Sequence, residues 1–418
     1  MLLRFYSVFV VFWHLYVFFF EWGTWYEPLA PVYVTVIRDI VWIIFILISV
    51  VIYFTNREFY SFRDRYDPYN RLFKYVFFGL AYLYVIVVFV HLTHKSYFDI
   101  LQHELRNTLM YSLIILLYPI WIRNNEDLSK LIRIILYSGV AAALFGIATG
   151  LFMPDLTWRG RVISTLENPN TLGFFMNMIM FITLSLLLSG VLSKKWWIAF
   201  ALFLFCLVMT FSFQNYIACV LGLVMVFVIK RKWKSLIDIP SVLLFIAAVV
   251  MVYISSGYAD TLFIRLRHLL PVAGFQQGAA FSRIEQFTQF LGFIADSSVV
   301  SLLFGDFSLV RYARYDSQYY NFFINNGFLV PSMIFVYFAF IALLGYIKYV
   351  RLAKKRDRTN AAIVLGSGLT LMVALVVQFF FTAFLNRFPL NFFFYLNMAI
   401  IIYMKTDTGE GEKGGGGG

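Results

Sequence analysis

The sequence predicts an all-α polytopic integral membrane protein with about twelve transmembrane helices and one long, partly helical exported loop. Three observations carry that prediction. The 418 residues are 61% hydrophobic and only 13% charged, a balance far from that of soluble domains. The apolar residues come in long runs divided by short polar connections, and a span needs about 20 of them. The 34 Lys and Arg concentrate in alternate connections, as the charge rule for cytoplasmic loops requires.

Taken in order, the apolar runs place spans at roughly 4–20, 34–54, 73–92, 107–121, 131–152, 171–192, 196–211, 216–229, 237–255, 328–347, 361–383 and 391–404. The eighth and twelfth are shorter than ideal. The opening MLLRFYSVFVVFWHLYVFFF runs into EWGTW with no small-residue cleavage pattern, so it reads as the first span and not as a leader. With the N-terminus inside, Arg57, Arg63, Arg65, Arg71 and Lys74 fall in one cytoplasmic connection. Arg123, Lys130 and Arg133 fall in the next, followed by Lys194 with Lys195, the run KRKWK at 230–234, and Lys348 with RLAKKRDR at 351–358. The flipped topology would export this larger set. Both termini are therefore expected in the cytoplasm.

Residues 1–404 form one bundle in this reading, with a long exported loop at 256–327 inside it and a flexible tail at 405–418, where TDTGEGEKGGGGG lacks any packing pattern. The long loop exceeds an ordinary helix connection, and FSRIEQFTQFLGFIADSSVVSLLFG carries apolar residues at helical spacing. One or more amphipathic helices are expected there, on or in the outer leaflet. Cys206 and Cys219 both sit in apolar runs and imply neither a disulfide framework nor a metal cage. The net charge of +12 belongs mostly to the connections that set topology, which makes nucleic acid a poor partner.

The same topology leaves a smaller set of arginines outside: Arg159 with Arg161, Arg265 with Arg267, Arg283, Arg311 with Arg314, and Arg387. Exported arginines run against the charge rule and call for an anionic partner. The planar, permanently charged guanidinium suits phosphate oxygens, so convergence of several would make a pyrophosphate site; singly, each could contact lipid phosphates. Among the acidic residues in the same elements, Glu167, Glu285 and Asp316 are the candidates to accept a proton from a sugar hydroxyl, or else to pair with an arginine. His268 stands between exported arginines in RLRHLLP, as a packing residue or a contact to substrate. Asn170 could cap the sixth span, and Tyr319 could stack on a sugar or anchor a helix at the interface. Ser212, Gln214, Asn215 and Gln378 either line a cavity or act as polar glue between helices. Arg38 and Asp39 are intramembrane ions that need a cavity or partner. No carboxylate pair has metal-like spacing with a histidine, so neither a metal nor another cofactor is expected.

RVISTLENPNTLGFFM at 161–176, TFSFQNYIACVLGL at 210–223, SRIEQF at 282–287, LLFGDF at 302–307 and DSQYYNFFINNGFLVP at 316–331 resemble, in order, the elements of the O-antigen polymerase and ligase superfamily. The resemblance implies a GT-C-like architecture and a metal-independent, inverting transfer of glycan from a polyprenyl diphosphate. The site would face the exterior of the bacterial cytoplasmic (inner) membrane. Arg161 matches the arginine of the Asn-Pro-Asn element and Arg283 the arginine after Ser in the long loop. Arg311 or Arg314 falls where further basic residues precede the end of that loop. Their implied role is to hold phosphate and stabilise the leaving oxygen. Ligase-type members carry a His-Ser-His-Asn-like string where this chain has Asp316-Ser317-Gln318, which favours a polymerase of O-antigen, capsule or a similar polysaccharide. Its donor and acceptor would be polyprenyl-diphosphate-linked oligosaccharides, with membrane lipids and a chain-length regulator as partners. The alternatives are a ligase acting on a lipid A-core acceptor, and a flippase or other transporter, which should show internal repeat symmetry that this chain lacks.

Overall fold

The computed structural model describes residues 31–55, 68–93, 100, 108–122, 124–152, 162, 164, 169–230, 279–307, 317–381, 385 and 390–406. Among them every regular element is helical: α1 (Pro31–Thr55), α2 (Pro68–Leu92), α3 (Thr108–Trp121), α4 (Asn125–Phe152), α5 (Pro169–Leu188), α6 (Trp196–Met209), α7 (Phe213–Lys230), α8 (Ala279–Asp296), α9 (Val299–Phe304), α10 (Gln318–Asn326), α11 (Leu329–Lys354), α12 (Arg358–Phe381) and α13 (Leu390–Tyr403). The chain is thus an all-α, multi-pass membrane protein.

The expected count of twelve spans is corrected. Six helices among the described residues are long and apolar enough to cross a membrane: Tyr75–Leu92 within α2, then α4, α5, α7, α11 and α12. Four further apolar stretches, Trp42–Ile52, Thr108–Trp121, Trp196–Met209 and Leu390–Tyr403, are shorter. The expected spans at 4–20 and 237–255 lie outside the described residues. An apolar run marks burial without fixing length, and α6 shows why: after Met209 the chain turns, with Thr210 N donating to Leu207 O (3.1 Å) and Phe211 at φ 46°. The GT-C-like expectation is corrected as well, because the described helices carry no feature of that architecture.

The bundle is built around α5. Its sequence PNTLGFFMNMIMFITLSLLL is apolar on every side, as a helix without a solvent or lipid face must be. Pro169 suits the first turn, where its missing N–H costs nothing. α4, α6, α7, α12 and α13 enclose it. The outward faces of α2 and α11 are instead exposed and apolar, with Tyr82 and Phe89 on one and Val336, Phe340 and Leu343 on the other. Those faces suit lipid.

Two ends of the bundle differ in chemistry. At one, Lys230 Nζ donates to Ser189 Oγ (2.7 Å) and lies 5.2 Å over the Tyr349 ring, while the rings of Tyr118 and Tyr403 stack. Lys194, Lys195, Arg351, Lys354, Lys355, Arg356 and Arg358 gather on the turns there. Lys348, almost fully buried, donates to Ile402 O (2.8 Å) and Met404 O (2.9 Å). A cation at those carbonyls satisfies the last turn of α13 and opposes its dipole. Lys348→Met removes both bonds and is expected to lower stability by about 2 kcal/mol, read as a lower melting temperature in detergent. At the other end lie the starts of α5, α7, α11 and α13, the ends of α2, α4, α6 and α12, and α8 with the short helices α9 and α10. His91 Nε2 of α2 donates there to Phe304 O (2.7 Å), and Phe328 N to Leu302 O (2.7 Å).

Cys206 and Cys219 are buried inside α6 and α7. A membrane-permeant maleimide is therefore expected to label neither in the folded protein and both after denaturation, by intact-mass measurement.

Candidate functional site

The end that collects α8–α10 contains a buried network of neutral polar side chains, several of them placed by breaks in regular structure. The break between α6 and α7 presents Ser212 and Asn215. Ser212 Oγ donates to Asn170 Oδ1 (2.8 Å), and Asn215 Nδ2 donates to Asn170 O (3.1 Å) and Ser212 Oγ (2.8 Å). From α5, Asn177 Nδ2 donates to Asn215 O (3.0 Å). From α12, Gln378 Nε2 donates to Asn215 Oδ1 (2.8 Å). Gln378 closes a π-helical segment, Ala374–Gln378, whose extra residue per turn re-aims side chains out of α-helical register and recurs at functional sites. Gly173 permits the α5–α7 approach, since a Cβ there would overlap the Asn215 amide.

A second node adjoins the π segment. Tyr319 OH donates to Leu375 O (2.6 Å), and Ser317 Oγ to Phe379 O (3.2 Å). Gln318 Oε1 accepts from Leu385 N (2.7 Å), while Asn391 Nδ2 donates to Leu385 O (3.1 Å), so the Leu385 peptide groups are held from both sides. A third fixed point lies beside α4 and α6: Val162 N donates to Met209 O (3.1 Å) and Ser164 Oγ to Ala142 O (2.6 Å). Gly146 and Gly150 leave room for both residues, since a Cβ at Gly146 would stand 3.0 Å from Val162 Cγ1 and 3.1 Å from Ser164 Cβ.

Within these nodes, three buried amide atoms, Asn177 Oδ1, Gln318 Nε2 and Gln378 Oε1, have no hydrogen-bond partner among the described residues. Burying polar valence unmet is costly and clusters where function demands it. The network can donate and accept hydrogen bonds and hold segments in register; as amides and hydroxyls it cannot serve as an acid or base at neutral pH. Among the described residues no group of three His, Cys, Asp or Glu could hold a metal ion.

No family model matches the chain, and no curated protein matches it.

Of the residues expected from sequence, Asn170 and Tyr319 fall in this region, in separate nodes, and both are engaged internally. Asn170 accepts from Ser212 and Asn215, and Tyr319 packs among Phe323, Phe335, Phe379 and Phe380. Glu285 is exposed on α8, and Arg283 lies on the same helix, its side chain outside the described residues. Arg159, Arg161, Glu167, Arg265, Arg267, His268, Arg311, Arg314, Asp316 and Arg387 also lie outside them. Ser212, Asn215 and Gln378 are joined to one another as polar glue. Asn177, Gln318 and Asn391 were not expected, although Asn177 is a lone amide in the run FMNMIMF, a signal that intramembrane polar residues carry.

Proposed function

We propose that the chain polymerises polyprenyl-diphosphate-linked oligosaccharide repeat units at the outer face of the bacterial cytoplasmic membrane, as the resemblance to the O-antigen polymerase and ligase superfamily implies. The observation that carries this reading is the convergence of three resembling segments at one end of the bundle. The Asn-Pro-Asn element, the polar break at 210–215 and the segment beginning at Ser317 are tied together through Asn170, Asn215, Gln378 and the π segment. The opposite end carries the dense lysines and arginines, which supports placing it in the cytoplasm.

In this reading a hydroxyl of the acceptor sugar attacks the anomeric carbon of the donor. The C–O bond to the diphosphate breaks with inversion, and the hydroxyl proton passes to a carboxylate, for which Glu167, Glu285 and Asp316 are the candidates. Arg161 and Arg283 hold the departing diphosphate, joined by Arg159, Arg265, Arg267, Arg311 and Arg314. Arg161 adjoins Val162 in sequence, and Arg314 closely precedes Ser317, so described anchor points flank two of the proposed ligand segments. The amide network would keep those segments in register.

The test is glycan chain length in vesicles containing the purified protein and a polyprenyl-diphosphate-linked oligosaccharide. A ladder from the parent that disappears in Arg161→Ala and Arg283→Ala is the expected result. Transfer to an added lipid A-core acceptor without any ladder would replace this reading with a ligase.

A further inference from the structure

We propose that the half-open apolar cleft between α2 and α11 is a binding site for one acyl chain of a membrane phospholipid. This does not depend on the glycosyl-transfer reading. The cleft is walled by Phe77, Leu80 and Ala81 of α2 and by Ile334 and Phe338 of α11, and Leu385 also lines it. The space open to the centre of a water-sized sphere is about 50 Å³, several times what one water needs, yet a buried water also requires two or more polar partners. Tyr84, Thr108, Ser112, Tyr337 and Tyr395 also line it, but they turn almost no polar surface toward the space. Apolar cavities of this kind stay dry and take hydrocarbon.

The position of the cleft identifies the source of that hydrocarbon. α2 and α11 both contain membrane-length apolar stretches, and beside the cleft their outward faces expose Phe78, Leu83, Val336 and Phe340. Of its lining residues, Ala81 and Ile334 are part-exposed, on the two helices that carry those faces. From Phe77 to Tyr84 the cleft follows α2 for about 10 Å at the rise of an α-helix, a stretch suited to part of a chain lying along the bundle axis.

The experiment uses the full chain in phosphatidylcholine vesicles doped with a phosphatidylcholine that carries a diazirine in one acyl chain. After irradiation and digestion, adducts are expected on the peptides containing Ala81–Tyr84 and Ile334, above the yield on the outward Phe340 peptide. Ala81→Trp fills the cleft and should lower the cleft adducts several-fold while leaving those at Phe340 unchanged. Ile334→Trp, from the other wall, repeats the test should Ala81→Trp fail to fold. Equal cleft labelling in the filled variants would overturn the proposal. Displacement of the adducts by a small mole fraction of polyprenyl phosphate, but not by unlabelled phosphatidylcholine, would also overturn it in favour of an isoprenoid occupant.

Discussion

Asn215→Leu is expected to cause the largest loss of any single polar substitution in this protein. Asn215 is fully buried and touches every arm of the network: its amide donates to Asn170 O and Ser212 Oγ, its Oδ1 accepts from Gln378, and its backbone oxygen accepts from Asn177. Leucine preserves bulk while stranding the Gln378 amide and releasing the α5 start from the α6–α7 break. Stranded buried groups cost about 1–3 kcal/mol each, whereas interhelical bonds in membranes average about 0.6 kcal/mol. With several bonds lost at once, a net cost of about 3 kcal/mol lies between those scales. A detergent melting curve checks it. Asn215→Asp keeps the acceptor for Gln378 but loses both donated bonds and buries a carboxylate, so it should rescue little. A melting temperature unchanged in Asn215→Leu would show that the network is dispensable for the fold.

Gly366→Val is expected to prevent normal packing of α5 against α12. A Cβ at Gly366 would stand 2.7 Å from Ile182 Cα and 2.9 Å from Ile182 N. Those are backbone atoms, so no rotamer change relieves the overlap and the helices must separate. Overpacking costs typically about 1–3 kcal/mol and more where the neighbour cannot yield; here the upper part of that range or beyond is expected for valine. Small residues at such crossings are what lets membrane helices approach closely. Two controls grade the effect. Gly222→Ala meets the Phe181 ring, which can swing, and should cost less. Gly79→Ala meets nothing within 4 Å and should leave the melting temperature unchanged or raise it through better helix propensity.

The membrane class and most helix positions were legible because uninterrupted apolar runs of about 20 residues are rare in chains that fold in water. Run length was a poorer guide to span length. The run at 196–211 ends in the turn at Thr210 and Phe211, and α7, expected to be short from 216–229, begins at Phe213 and reaches membrane length. Periodicity fails for α5 since a helix buried on every face has no stripe to read. Three of the ordered segments read from sequence are joined in the structure, while most of the charged residues expected to act there lie outside the described residues. Asn177 and Asn391 escaped because a single amide in an apolar run gives no hint of which distant helix it will meet, and Gln318 because nothing in the string DSQ points to the peptide of Leu385. The π segment escaped because nothing in ALVVQ distinguishes five residues in one wide turn from five in an α-helix. Lys348 read as one more cytoplasmic charge, and its burial depends on carbonyls more than fifty positions later.

The enclosure of α5 constrains the order in which the protein can be made. During synthesis this helix reaches the insertion machinery well before α12 and α13, which finally cover it. Until they arrive, Asn177 and Asn215 must wait beside lipid without Gln378 or the C-terminal helices around them. A chain stopped before α12 would leave the most polar part of its central helix facing hydrocarbon. Such products should be drawn to quality-control proteases, whereas substitutions confined to the exposed faces of α2 and α11 should pass unnoticed.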